Sequence, residues 1–196
     1  MNDPGNKSPR RPSVEQIEQE IKRHENNKEL KKALSGAIKN LIVIAAATVL
    51  IANLLLSVLM VNRSSMSPTL RDGDIVITLR WVSAKPGDIV AFRYNNKILL
   101  KRVIAKAGDW VHIDDEGIVY INNEVLEEPY VTDRSLHECD IDLPYQVPDG
   151  TFFVMGDHRT TSADSRLREI GPINSEYVVG KVFLRIWPFT RLGYFG

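Results

Sequence analysis

The chain has 196 residues, and its 25 Lys and Arg balance 25 Asp and Glu, so no basic field points to nucleic acid. Its one cysteine, Cys139, excludes an intramolecular disulfide, and no CxxC or paired Cys/His spacing offers a zinc site. The histidines His24, His112, His137 and His158 are scattered; none is assigned to a metal, and no cofactor is expected.

Residues 1–40 are polar, with Pro4, Pro9 and Pro12 near the start and a charged helical stretch from about Ser13 to Lys32. Ser13, three residues before Gln16, resembles a capping box and marks the helix start. From Leu41 to Val61 the chain carries no charge, and its polar side chains there are Thr48, Asn53 and Ser57. At 1.5 Å per helical residue a run of about 21 residues spans ~31 Å, close to the ~30 Å hydrocarbon core. The long preceding segment predicts an uncleaved anchor rather than a removed signal, whose apolar core is only ~7–15 residues. Lys28, Lys31, Lys32 and Lys39 precede the span, whereas Arg63 and Arg71 follow it closely. The positive-inside bias therefore puts the N-terminus in the cytoplasm and residues 62–196 outside the cell membrane.

Residues 62–196 suffice for one compact domain and read as mainly β. Strands are predicted at Asp74–Thr78, Asp88–Tyr94, Ile98–Ile104, Trp110–Ile113, Ile118–Ile121, Phe152–Met155 and Val178–Ile186. Turn signals at Gly73-Asp74, Gly87-Asp88, Gly108-Asp109, Asn122-Asn123 and Pro148-Asp149-Gly150 punctuate them. Short strands at this spacing predict an all-β folded sheet or barrel behind a single transmembrane helix. The repeated Gly-Asp pairs read as turns, since none opens a helix or has the spacing of a calcium loop.

Ser65 follows the apolar run by four residues, which would hold its hydroxyl at a membrane surface. A serine hydroxyl attacks well only when a base takes its proton. A Ser-His-Asp arrangement would use His112 or His158, although nothing in their local sequence favours either. Lys101 is the other candidate: its apolar neighbours in Ile98-Leu-Leu-Lys-Arg-Val-Ile104 would desolvate the amine and favour its neutral form. The competing reading is a strand lysine pointing to solvent.

Several boxes in order resemble the bacterial type I signal peptidases, in their small Gram-positive-like form. They are Ser65-Met66-Ser67-Pro68-Thr69-Leu70, Gly87-Asp88-Ile-Val-Ala, Lys101-Arg102-Val103 with Gly108-Asp109, Gly156-Asp157-His-Arg159 and Ser162-Ala-Asp164-Ser165-Arg166. The tail from Val179-Gly180-Lys to Trp187-Pro188-Phe189 is similar too, while residues 1–40 share nothing distinctive. The resemblance implies a membrane-bound serine endopeptidase that removes signal peptides after small residues of the Ala-x-Ala kind. Ser65 would be the nucleophile, Lys101 the general base, and Ser162 the hydroxyl that orients the amine. Met66 would wall the S1 pocket, with Leu99 and Leu100 near S1 and S3. Arg102 with Asp157, and Asp164 with Arg166, would be structural ion pairs. Implied partners are secreted preproteins, the lipid bilayer and the secretion translocon. Trp81, Trp187 and Phe195 are candidates for interfacial anchoring or for core packing.

One departure bears on mechanism. Some members carry a serine two residues before the nucleophile to complete the oxyanion hole, and this chain has Arg63 there. The second donor would then be a main-chain group near Arg63 or the Ser64 hydroxyl. Two other readings stay open at this point: an inactive membrane-tethered homologue that binds preproteins, and a self-cleaving repressor-type Ser/Lys peptidase.

Overall fold

The computed structural model describes residues 13–81, 83–135 and 138–195. Pro4, Pro9, Pro12, His137 and the side chain of Gln16 lie outside that description. The chain divides into two compact units, residues 1–51 and 52–196.

The charged stretch and the apolar run join in one helix, α1, Val14–Leu55, whose last four residues belong to the second unit. It opens with the Ile17 N–H donating to the Ser13 carbonyl. Leu, Ile, Val and Ala fill its second half, and α1 is long and apolar enough to cross a membrane. It ends earlier than the uncharged run. A helix through Val61 was expected, but Leu56–Met60 forms a strand, β1. Its partner is β2, Ile75–Leu79, in the antiparallel register Leu56↔Leu79 to Met60↔Ile75. An apolar run without periodicity suits either a helix or a strand, and the ladder to β2 decides for the strand here.

Beyond the end of α1 the second unit is mainly β. The remaining strands are β3 (Ile89–Tyr94), β4 (Lys97–Lys106), β5 (Trp110–Ile113), β6 (Val119–Ile121), β7 (Glu124–Val125), β8 (Tyr145–Gln146), β9 (Thr151–Met155), β10 (Ile173–Asn174), β11 (Val178–Trp187) and β12 (Gly193–Tyr194). One sheet runs β1-β2-β11-β3-β4-β9-β10, with β12 added on β11; the other runs β7-β6-β5-β8. Every pairing is antiparallel. Gly73, Gly87 and Gly108 hold φ of 82°, 94° and 86°, so the Gly-Asp pairs are turns.

Three apolar clusters fill the unit. Ile104, Val111, Phe153 and Met155 belong to one that includes residues of both sheets. Val90, Phe92, Val103, Val154 and Ile173 form a second. Met66 and Leu70 join Val61, Val76, Ile89 and Val182 in the third, and Phe195 packs against it. Phe195 is thus a packing residue, whereas Trp81 and Trp187 are exposed.

β4 positions the site. Its alternation sends Leu99 to the Val90 cluster and Leu100 to the Met66 cluster, so these neighbours do not share a wall. It pairs with β3 over 97–102 but with β9 only over 102–106.

Candidate active site

Ser65 stands in a tight turn braced by the Ser67 N–H on the Ser64 carbonyl and the Leu70 N–H on the Met66 carbonyl, both at 2.8 Å. Its own carbonyl accepts from the His158 N–H at 3.1 Å, which ties the turn to the 156–162 loop. Just upstream, Arg63 holds φ at 81°, where a non-glycine residue is strained, and its N–H donates to Asp72 Oδ1 at 2.6 Å.

Gly156 brings the loop and the turn together. A Cβ on this glycine would stand 2.2 Å from Ser162 Oγ and 2.5 Å from the Ser65 carbonyl oxygen, so glycine is required by space. Its N–H donates to Asp164 Oδ2 at 3.0 Å and its carbonyl accepts from Arg159 Nε at 3.0 Å.

Lys101 comes to the same place from β4 and is 3% exposed. Its Nζ donates to Ser162 Oγ at 2.8 Å. Burial pulls the amine down to about 8; Arg166 pushes the same way, while Asp164 and Asp157 oppose. Among the described residues Lys101 has no carboxylate within ion-pair distance, and the Ser65 hydroxyl makes no hydrogen bond. Ser162 therefore holds the amine, and the Ser65–Lys101 hydrogen bond is not formed here.

Around the amine lie three buried ion pairs. Arg102 meets Asp157 through two bonds of 2.9 and 2.7 Å, the two-pronged geometry a guanidinium makes best. Arg166 meets Asp164 at 2.9 and 3.1 Å. Burial raises the Asp164 carboxyl, but Arg166, Ser162 and the Gly156 N–H outweigh it and hold it below its usual range. The third pair, Arg159 with Glu128, was not legible in the sequence. Glu128 sits 31 residues from its partner in a polar loop, and the unmatched Arg159 was the one available signal. Tyr130 was missed as well: its ring lies 3.9 Å from the Arg102 guanidinium carbon, and its hydroxyl donates to Glu128 at 3.1 Å. Burial and Glu128 push that phenol well up.

Neither alternative base is placed for the task. His158 turns Nδ1 toward Thr161 Oγ1 at 2.6 Å, and the His112 ring lies tilted against Tyr120 in the smaller sheet, centroids 5.8 Å apart. Cys139 is partly buried, which pushes its thiol up. Among the described residues no three His, Cys, Asp or Glu side chains gather into a metal-holding group.

The site thus brings the turn that carries Ser65 and the hydroxyl that holds the buried Lys101 amine against one glycine, Gly156. The profile of the family described as signal peptidase, peptidase S26, matches residues 34–187, a stretch that holds all of these residues. Signal peptidase I of Bacillus licheniformis is 33% identical over 175 residues, covering 83% of this chain and 93% of its own. Signal peptidase IB of Staphylococcus aureus (strain MRSA252) is 30% identical over 185 residues, covering 84% and 95%. The crystal structure of a signal peptidase I from Enterococcus faecalis V583 aligns with a TM-score of 0.43 and 29% identity over 51% of this chain and 97% of that one. Matched over most of its length, this chain belongs to the signal peptidase family, peptidase S26.

Proposed function

We propose that this protein is a membrane-bound serine endopeptidase that removes signal peptides from secreted preproteins, with Ser65 as nucleophile and Lys101 as general base. The observation that carries the reading is Lys101 itself, a buried amine held by a neutral hydroxyl and lowered to about 8. Neutral Nζ takes the Ser65 proton as Oγ attacks the scissile carbonyl, and the resulting ammonium gives that proton to the leaving amine. A water that Lys101 deprotonates then attacks the ester left on Ser65, and the ammonium returns that proton to Ser65 Oγ as the acyl bond breaks. Ser162 orients the amine through both halves.

Among the described residues the edge of β4 over 97–101 faces no strand on the side away from β3. An extended substrate added to that edge lies beside Lys101, its main chain satisfied by the ladder. Met66 and Leu100, in one apolar cluster, supply a wall that suits small residues such as the alanines of Ala-x-Ala.

The membrane crossing is assigned to α1. Its uncharged part from Leu41 to Leu55 covers only ~22 Å at 1.5 Å per residue, so the crossing draws on Ala33–Ile38 too, with Lys39 extending its stem toward the interface. Residues before the crossing are cytoplasmic, and the β unit faces outward, where preproteins leave the translocon. Ser65→Ala and Lys101→Ala are each expected to abolish processing of an Ala-x-Ala preprotein while the protein stays in the membrane fraction. Full processing by either variant overturns the proposal.

A further inference from the structure

We infer that Glu128 is a positioning residue of this active site: its carboxylate neutralises the buried Arg159, which leaves Lys101 as the site's cation without a carboxylate of its own. The inference rests on the proposed role of Lys101 as base.

The argument is a charge balance. The buried cations of the site are Lys101, Arg102, Arg159 and Arg166, and the buried anions are Glu128, Asp157 and Asp164. Each arginine has its carboxylate. With Lys101 protonated the cluster carries one excess positive charge, and with Lys101 neutral it carries none. A dry interior penalises an uncompensated ion, so the balance itself favours proton loss at Lys101. The groups facing the amine are Asp164, Arg166 and Asp157, with Arg102 next to it on β4 and Ser162 as its hydrogen-bond partner.

Glu128 also acts mechanically. It holds Arg159, Arg159 Nε holds the Gly156 carbonyl, and Gly156 abuts both Ser162 Oγ and the Ser65 carbonyl. From the same loop Asp133 accepts from the Thr160 N–H and hydroxyl at 3.1 and 2.7 Å, so one strap restrains the 156–162 loop at two points.

Removing only the charge of Glu128 leaves Arg159 in excess and makes the protonated amine still less favourable. An unbalanced positive charge added to a buried cluster lowers the pKa of an amine within it. The test is the pH dependence of kcat and KM for preprotein cleavage by the full-length protein in detergent. Glu128→Gln is expected to lower kcat at least tenfold, with KM within twofold. It should also move the rising limb toward acid by half a unit to one unit. Tyr130→Phe, which keeps all charges, should leave the limb in place. The double variant Glu128→Gln with Arg159→Met removes both charges and should return the limb to the wild-type position while kcat stays low. A limb unmoved in Glu128→Gln, or displaced in the double variant, overturns the inference; if the single variant fails to fold, the double variant decides. A wild type with no limb near pH 8 would instead remove the Lys101 reading beneath it.

Discussion

Two buried carboxylate–arginine clusters flank the nucleophile turn, and they treat an excess cation differently. Asp74 takes two arginines, Arg185 at 3.4 Å and Arg191 at 2.5 Å, and Arg185 also donates to the Thr69 carbonyl at 2.7 Å. In that cluster the Arg185 and Arg191 side chains remain 13% and 28% exposed, and both cations are guanidinium groups that keep their charge. Around Lys101 the three arginines are matched one for one, and the remaining cation is sealed. The kind of cation makes the difference: a guanidinium keeps its proton wherever it sits, whereas an amine sealed from water can give its proton up.

Lys101→Met sharpens this contrast most. It should reduce cleavage to background while stabilising the fold at pH 7 by about 3 kcal/mol, the free energy of a shift from about 10.5 to about 8. The sign follows from linkage. Below pH 8 both folded and unfolded wild type carry the proton, and the folded state bears the full cost of the buried ion. Between pH 8 and about 10.5 the folded state sheds its proton first, wild-type stability climbs, and the advantage of methionine fades. Denaturant melts at pH 7 and 10.5 measure it, and a gain independent of pH contradicts the picture. Gly156→Ala comes next. The new methyl meets Ser162 Oγ at 2.2 Å and the Ser65 carbonyl oxygen at 2.5 Å, so the hydroxyl that holds the amine and the turn that carries Ser65 must move apart. Misplacement of about 1 Å costs on the order of 10²-fold, and single-turnover cleavage should fall by about that much with substrate affinity kept.

What the sequence made legible was local. Turn glycines and short apolar runs gave the β-rich domain, whereas the apolar neighbours of Lys101 left a desolvated and a solvent-facing amine equally open. What stayed hidden depended on partners far along the chain. β1 looked helical because its ladder to Ile75–Leu79 leaves no mark in Leu56–Met60. Glu128 and Tyr130 lie in a polar loop without periodicity, and their roles exist only once Arg159 and Arg102 are buried beneath them. Gly156 was part of a box, yet only space shows that its missing side chain is the point of contact.

The smallest effect belongs to the wetter cluster. Arg191→Ala removes one of two cations from Asp74 and leaves Arg185 in place on both Asp74 and Thr69. Because the Arg191 side chain is partly exposed, solvent screening keeps the loss near 1 kcal/mol. The turn that carries Ser65 keeps its anchor through Arg185, so kcat should stay within about threefold of wild type, well under the tenfold that loss of a strong interaction produces. Above all, the pH limb should not move, since Arg191 pairs with Asp74 in the other cluster and, among the described residues, shares no hydrogen bond or ion pair with Lys101 or with the arginines around it. Melts and pH–rate profiles of this one variant decide the matter. A displaced limb would mean that the two clusters share one field, and the charge balance around Lys101 would have to include Asp74 and its two arginines.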